Sequence, residues 1–249
     1  MSKKYEFTGE TCEHNGHTLK RIKRCSDNCI GGWIEGEENL SQEGGCFVYG
    51  EAKVYGRAHI SENATASSRS EVYGSALVSG NALIYNNAQV YDTAIVKDKA
   101  IIKARAQVYG NALVVGGLID CNSKVCGSAM IKDKAHIDNN AKIFGNVIIE
   151  DDAYIKDSVE VGGSLVVRGE TVLCGDLVAM KTGDYIHLSG LRYPVTIQKN
   201  GLATIGCTTK TVKEWLNYSY KFAWTHMHCE EYEMMKRILT PLLEQYNEV

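Results

Sequence analysis

The sequence has little of what marks a membrane, secreted or nucleic-acid-binding protein. It holds only 2 prolines and 4 phenylalanines in 249 residues, and its longest aliphatic run, residues 113–119, is far shorter than the roughly 20 residues that span a bilayer. A formal charge of −3 and a pI near 6.2 exclude a broad basic surface and generic nucleic-acid binding. The polar residues 1–6 lead into no apolar core, so no signal peptide is expected. Nine cysteines without a disulfide framework predict free thiols and a cytoplasmic protein.

What the sequence does have is a six-residue period. Every sixth residue from Val48 to Val114 is Val or Ile at eleven of twelve positions, and a second series four places later is Ala at ten of twelve. Gly, Asn or Asp stands between the two series in most repeats, at Gly50, Gly56, Gly74, Gly80, Asn86, Asp92, Asp98, Gly110 and Gly116. Neither a helix period of 3.6 nor a strand period of 2 fits this spacing, which excludes a long helix and an ordinary hairpin sheet.

The period predicts an all-β solenoid of triangular coils. In each hexad a β-branched residue points inward from a short strand, a corner residue tolerates positive φ, and Ala fills the inside of the corner. Three hexads close one coil, and stacked strands at ~4.8 Å predict a prism about 35 Å long. The register slips by one residue at 114–119. We therefore divide the chain into an N-terminal hairpin and cap (1–45), the β-helix (46–180) and a C-terminal hairpin and helical cap (181–249).

The hexads and their flanks resemble a known family. The repeats with Val-Tyr-Gly-x-Ala motifs, residues 31–41 before them and residues 205–216 after them are similar to the left-handed β-helix family of hexapeptide-repeat proteins, in particular to phage- and prophage-type members. Those members are labelled transferase-like or polymer-forming. The resemblance implies a left-handed parallel β-helix and a homotrimer, and it raises acyl transfer from acyl-CoA as an alternative function.

Reading outward residues in columns defines three faces. The first apolar face carries Phe47, Thr65, Leu83, Ile101, Leu118, His136, Tyr154 and Val172. The second apolar face carries His59, Leu77, Ile95, Leu113, Met130, Ile148 and Val166. The polar face carries Lys53, Glu71, Gln89, Gln107, Lys124, Lys142 and Glu160.

Two exposed apolar faces are more than a soluble monomer usually tolerates. We predict that copies of the chain cover them in a trimer. The predicted interface residues are Phe47, Leu83, Ile101, Leu77, Ile95, Leu113, Met130 and Ile148. The alternative is that the N-terminal arm or C-terminal helices fold back over one of these faces.

A second column on the polar face, the tyrosine ladder, consists of Tyr55, Tyr73, Tyr91 and Tyr109. Stacked tyrosines can stabilise a β-surface simply through contacts between neighbouring strands. They can also form an aromatic platform for a partner, a base or a sugar ring. A third alternative is that the C-terminal helices cover the ladder.

Both ends of the solenoid have sequence signals for caps. Asn15-Gly16 predicts a hairpin of residues 5–14 and 17–24, and Trp33 with Ile34 is placed to cap the first coil. Asn200-Gly201 predicts a second hairpin. Thr211 and Glu214 have capping-box spacing and open a short helix, and a further helical stretch is predicted from about residue 230.

Catalytic and metal-binding signals are weak. If the chain is an acyltransferase, His59 and His136 are the candidate general bases, although neither has an obvious carboxylate partner in the sequence. Cys12, His14, Cys25 and Cys29 could supply four zinc ligands, but the Asn15-Gly16 turn places Cys25 far from Cys12. His226, His228 and Cys229 form a tight cluster without a fourth ligand. No cofactor or metal is assigned.

The sequence thus predicts a non-catalytic binding protein. It would bind a host protein through the ladder, or sequester a small anionic, nucleotide-like signalling ligand between protomers to counter host defence. The alternatives are an acyltransferase and a structural, polymer-forming scaffold.

Overall fold

The structure, a computed structural model, describes residues 3–188 and 193–217, together with the isolated residues 237, 240, 241, 244 and 245. It is a parallel β-solenoid of about eight coils with a small antiparallel sheet at its C-terminal end. The predicted all-β solenoid is therefore confirmed. Its handedness stays a prediction from the resemblance.

Each coil contributes one short strand to each face. The polar face contains β3 (Ile30–Ile34), β5 (Lys53–Val54), β8 (Glu71–Val72), β11 (Gln89–Val90), β14 (Gln107–Val108), β16 (Lys124–Val125), β18 (Lys142–Ile143), β21 (Glu160–Val161) and β24 (Val178–Ala179). The first apolar face contains β4 (Phe47–Val48), β7 (Thr65–Ala66), β10 (Leu83–Ile84), β13 (Ile101–Ile102), β20 (Tyr154–Ile155) and β23 (Val172–Leu173). The second contains β6 (His59–Ile60), β9 (Leu77–Val78), β12 (Ile95–Lys97), β19 (Ile148–Ile149) and β22 (Val166–Val167). Two longer strands, β15 (Leu113–Ile119) and β17 (Met130–Ile137), run around the corner from the second apolar face to the first.

The strand register follows the predicted coil length and its one slip. Glu71 pairs with Gln89 and Gln89 with Gln107, each 18 residues on, whereas Gln107 pairs with Lys124, only 17 residues on. The missing residue is in the corner of β15, where Gly116 and Gly117 both have positive φ. A Cβ on Gly117 would lie 2.8 Å from the backbone oxygen of Ala135. Only glycine fits this shortened corner without displacing the next coil.

The core and the corners are built as the hexads predict. The inward Val, Ile and Ala side chains form one continuous buried cluster along the solenoid. Most hexads place one residue in the left-handed region at the corner, and besides glycine these include Asn86, Asp92, Asp98, Asn139 and Asp157. Asn and Asp tolerate this conformation better than other non-glycine residues. Local backbone preference and core packing therefore agree at the corners.

The N-terminal hairpin extends the polar face. Its strands β1 (Tyr5–His14) and β2 (His17–Arg24) add antiparallel to β3, and β3 pairs in parallel with β5. A 3₁₀ turn (Glu37–Asn39) precedes Leu40. The first coil is capped by Tyr5 and Ile22, both buried, and the Tyr5 hydroxyl donates to the Leu40 carbonyl at 2.7 Å.

The prediction that Trp33 caps the first coil was wrong, while Ile34 does join the core. Adjacent residues of a strand point to opposite faces, so Trp33 points outward. There it packs with Leu19 and Tyr55 and donates its indole N–H to Glu51 at 3.0 Å.

At the other end, β25 (Tyr185–Leu188), β26 (Val195–Gln198), β27 (Leu202–Ile205) and β28 (Thr208–Thr211) form an antiparallel sheet. The hairpin predicted at Asn200-Gly201 is β26 and β27. Side chains of this sheet accept hydrogen bonds from backbone N–H groups of the last coil. Thr196 accepts the Val172 N–H at 3.2 Å, and Gln198 accepts the Cys174 N–H at 2.9 Å.

The short helix α1 (Val212–Asn217) follows this sheet. The predicted capping box is present, because the Glu214 N–H donates to the Thr211 hydroxyl at 3.2 Å and Glu214 accepts the Thr211 N–H at 2.8 Å. The further helical stretch predicted from about residue 230 lies almost wholly outside the described residues. Within the described part of the chain, no helix has the length and apolarity to cross a membrane.

Candidate functional site

The tyrosine ladder is a regular aromatic stack. Successive rings from Tyr55 to Tyr109 lie 4.9–5.1 Å apart with interplanar angles of 1–3°. This is the spacing of stacked strands, and the flat faces of the rings lie against one another along the prism axis. Tyr73, Tyr91 and Tyr109 are partly exposed. Burial raises the pKa of Tyr73 to about 12, so its phenol is neutral at physiological pH.

Tyr55 is not part of an accessible platform, and its predicted role as a binding residue is corrected. Only 4% of its surface is exposed, because it packs with Leu19 and Trp33 under the N-terminal hairpin. The sequence suggested the C-terminal helices as a cover for the ladder. The N-terminal hairpin takes that place at the first tyrosine, and the three tyrosines beyond it stay partly open.

The tip of the hairpin is fixed over Tyr55 by two histidines. His14 and His17 both pack against the Tyr55 ring, with ring centroids 5.5 and 5.0 Å away. His14 lies 3.2 Å from a carboxylate oxygen of Glu71, and His17 lies 3.0 Å from one of Glu35. Each histidine therefore connects the hairpin to an acidic residue of the polar face.

The carboxylate of Glu35 makes hydrogen bonds both to the hairpin and to the solenoid. It is hydrogen-bonded to His17, and it accepts the Gly56 N–H at 2.7 Å. These two hydrogen bonds, that to His17 first, hold the pKa of Glu35 below its usual value. The hairpin tip is thus held by polar contacts as well as by packing.

The two apolar faces leave large side chains in solvent. Leu83 on the first face is 39% exposed, and Leu77 and Ile95 on the second are 46% and 37% exposed. The remaining predicted interface residues Ile101, Leu113, Met130 and Ile148 are partly exposed. None of these seven side chains is covered by the N-terminal hairpin or by α1.

Phe47 is the exception among the predicted interface residues. It is 1% exposed, since Tyr49 packs against it edge-on and the Arg24 guanidinium lies 5.1 Å from its ring centroid. The N-terminal arm thus covers the first apolar face at its first coil, as the alternative interpretation expected for one face. Phe47 is removed from the predicted interface for this reason.

A groove of about 600 Å³ runs along the corner between the first apolar face and the polar face. It is lined by Gly50, Glu51, Ser68, Arg69, Asn86, Asn87, Ala104 and Arg105. Arg69 and Arg105 are exposed, and neither guanidinium pairs with any residue that the structure describes. The two arginines were not among the residues predicted from the sequence, although they occupy the same corner position two coils apart.

The histidines proposed as general bases have different surroundings. His59 is held at one ring nitrogen, 2.6 Å from the Glu38 carbonyl oxygen. His136 stacks on Tyr154, with ring centroids 4.7 Å apart, and its Nε2 lies 3.9 Å from Asp138 Oδ2. Asp138, which the sequence did not mark as an obvious partner, thus lies within ion-pair range of His136 but beyond hydrogen-bond distance. Residues i and i+2 of a strand share a face, so this spacing could have revealed the pair.

Around His136 lies a cluster of groups that could bind a cation. Asp120, His136 and Asp138 each place a ligand atom within 4.8 Å of the others. Lys103 lies 2.8 Å from Asp120, and Tyr154 donates its hydroxyl to Asp138 at 3.1 Å. Burial lowers the pKa of His136, which favours the neutral imidazole.

The cysteine and histidine sets singled out in the sequence do not form such a cluster where they are described. Cys12 pairs with Leu19 and packs near Tyr55 at the hairpin tip, where His14 also lies. Cys25 is at the opposite end of the hairpin, with its N–H donating to the Lys4 carbonyl. The second set, His226, His228 and Cys229, lies outside the described residues.

Comparison with known protein families gives a short match. Residues 106–122 are similar to the YdcK beta solenoid repeat. This segment comprises β14, β15 and the shortened corner, close to one coil. A search of curated proteins returned no match. The repeat match and the observed coils agree, and we conclude that the chain is a β-helix protein with parallel solenoid architecture.

Proposed function

We propose that this chain is a non-catalytic binding protein that self-associates through its two apolar faces and presents the open part of the tyrosine ladder to a partner. The observation that carries the proposal is the contrast between faces of one prism. Two faces expose Leu77, Leu83 and Ile95, whereas the third exposes charged and amide side chains beside the ladder. Burying apolar surface gives about 25 cal/mol per Å², so the two apolar faces favour association.

A closed trimer is the assembly that best fits this distribution. Two adjacent faces of each prism can turn toward neighbouring copies around a threefold axis, and the polar face remains in water. Thr196 and Gln198 satisfy backbone N–H groups of the last coil, and the hairpin covers the first. Covered ends support a discrete oligomer over an end-to-end polymer.

Charge substitutions on the apolar faces test the assembly. Leu83→Glu combined with Ile95→Glu should lower the mass in solution to that of a single chain while the circular dichroism spectrum is retained. Gln89→Glu, on the polar face, is the matched control and should leave the mass unchanged. An unchanged mass in the double variant would refute association through these faces.

The ladder is proposed as the surface for a protein partner, which in a phage setting would be a host protein. Tyr73→Ala with Tyr91→Ala should abolish capture of that partner from lysate without changing the mass of the oligomer. Tyr73→Phe with Tyr91→Phe keeps the stack and serves as the control. Capture that survives loss of both rings would limit the ladder to a role in stability.

Sequestration of a small anionic ligand is a second candidate, favoured by the groove with Arg69 and Arg105. Guanidinium groups suit phosphate recognition, and the groove borders the first apolar face, where neighbouring copies would meet. Calorimetry with a panel of nucleotides should detect saturable binding without turnover, which Arg69→Ala with Arg105→Ala removes. Equal binding by the double variant would exclude the groove. Such a ligand would suit a role in countering host defence.

Acyl transfer remains the enzymatic alternative, and the His136–Asp138 pair is what favours it. A histidine beside a carboxylate can act as a general base. This alternative predicts release of free thiol from acyl-CoA in the presence of an acceptor, and loss of that release in His136→Ala. His59→Ala should have little effect, since that ring is held by the Glu38 carbonyl.

A further inference from the structure

The cluster around His136 is built from the side chains of three successive coils. Lys103, Asp120 and Asp138 each follow the inward residue of a strand on the first apolar face and stack along the prism axis. His136 lies one position before the inward residue, beside Asp138. The arrangement puts an imidazole and two carboxylates on one surface within a single chain. All of these groups come from one chain, on the first apolar face, which the proposed assembly turns toward a neighbouring copy.

The two carboxylates are oriented by the backbone. Asp120 Oδ1 accepts the Cys121 N–H and Asp138 Oδ1 accepts the Asn139 N–H, both at 2.6 Å. Their Oδ2 atoms face the cluster. Asp120 Oδ2 pairs there with the Lys103 ammonium, and Asp138 Oδ2 accepts a hydrogen bond from the Tyr154 hydroxyl. Hydrogen bonds that fix ligand oxygens in this way are typical of the outer shell of metal sites.

His136 supplies an independent observation. Its Nε2 atom is buried and has no hydrogen-bond partner among the residues that the structure describes, while the side chain as a whole is 31% exposed. Asp138 Oδ2 is 3.9 Å away, too far for a hydrogen bond. Stacking on Tyr154 holds the ring in this orientation. A buried polar nitrogen without a partner is uncommon, and a ligand between it and the carboxylates would satisfy it.

The geometry points to a divalent-metal site formed by His136 Nε2 and the carboxylates of Asp120 and Asp138. One imidazole and two carboxylates suit a first-row transition ion such as Zn²⁺ or Mn²⁺. The three ligand atoms lie within 4.8 Å of one another, and they would have to move closer together to reach bonds of about 2.0–2.2 Å to one ion. In the absence of an ion, the ammonium of Lys103 neutralises Asp120, and it would turn away when the metal binds.

Titration calorimetry of the tag-free full chain with Zn²⁺ tests this site. One ion should bind per chain, and His136→Ala and Asp138→Asn should each weaken binding by more than about tenfold, because even outer-shell partners are worth 10–100-fold. Lys103→Met removes the competing ammonium and should strengthen binding. His59→Ala is the matched control and should bind as the unmodified chain does.

Two results would overturn the site. Binding that is unchanged in both His136→Ala and Asp138→Asn would place the ion on other groups, such as the free cysteines. Absence of binding in both the unmodified chain and Lys103→Met would show that the cluster is an ion-pair network only. Unchanged circular dichroism spectra confirm that the variants are folded. A repeat with Mn²⁺, which prefers carboxylate to thiolate, separates this cluster from cysteine sites.

Discussion

The polar face and the two apolar faces share one core but differ on the outside. On all three, the inward residue of each strand is a buried aliphatic side chain, and the corner that follows has positive φ. The outward residues of the polar face are charged or amide from Lys53 to Glu160, whereas those of the other two faces are mostly apolar. Inward positions thus specify the fold, and outward positions specify what each face contacts.

Substitutions at Ile101 and Ile102 should give the largest difference in stability between an outward and an inward position. The two residues are identical neighbours whose side chains point in opposite directions. Ile102 is fully buried, and Ile101 is partly exposed. Ile102→Ala should lower the free energy of unfolding by about 2–5 kcal/mol. Ile101→Ala should lower it by about 1 kcal/mol or less. Denaturant unfolding at one protein concentration measures both, and equal losses would contradict the division into inward and outward positions.

Two tyrosines of the ladder give a second comparison, since Tyr55 is buried and Tyr91 is partly exposed. Tyr55→Ala should lower the free energy of unfolding by about 2–3 kcal/mol, because the ring is buried beneath the hairpin. Tyr91→Ala should lower it by about 1 kcal/mol, the worth of its aromatic stacking. Hydrogen exchange should show faster exchange of β1 and β2 in Tyr55→Ala alone. Similar exchange in the two variants would mean that the hairpin does not depend on Tyr55.

The shortened corner tests how tightly successive coils are stacked. Gly117→Ala should destabilise the chain by about 1–3 kcal/mol more than Gly16→Ala, from steric overlap with the next coil. Both glycines have positive φ, but a Cβ at Gly16 meets no atom within 4 Å. Thermal unfolding of the two variants gives the difference. No difference would show that the coil can shift to accept the extra carbon.

The smallest expected effect is the pH dependence of the hairpin contact. The folded chain holds the pKa of Glu35 below its usual 4.5, so its contribution to stability is present above that value and is lost as the pH falls through the lower, folded value. The side chain is 34% exposed, which keeps the effect within roughly 0.2–1 kcal/mol. Glu35→Gln should therefore reduce the loss of stability between neutral pH and pH below 4.5. An identical pH profile would contradict the contact.

The fold could be predicted from the sequence because its rules are local and repeated. A residue at Val90 or Ala94 has the same surroundings as its equivalents 18 positions away, so the period alone indicates which residues point inward. The slip at 114–119 was visible for the same reason. The hairpin that turns at Asn15-Gly16 was predicted from the preference of this dipeptide for two-residue turns.

The contacts of the candidate site could be predicted only in part. The stacking of Tyr73 on Tyr91 follows from the period. The cover over Tyr55 does not, because it depends on the path of the hairpin tip, which no repeat specifies. Strand alternation could have predicted that His136 lies beside Asp138. The orientation of the ring, which leaves Nε2 without a partner among the described residues, depends on its stacking against Tyr154 of the next coil. Contacts between non-equivalent segments are not encoded in a periodic pattern.

The most direct test of the central claim, that copies of the chain cover the two apolar faces, is the mass of the unmodified protein in solution. Sedimentation velocity or multi-angle light scattering over a range of concentrations should give about three times the 27.5 kDa of one chain. A stable particle of one chain at every concentration, with Leu77, Leu83 and Ile95 in water, would contradict it.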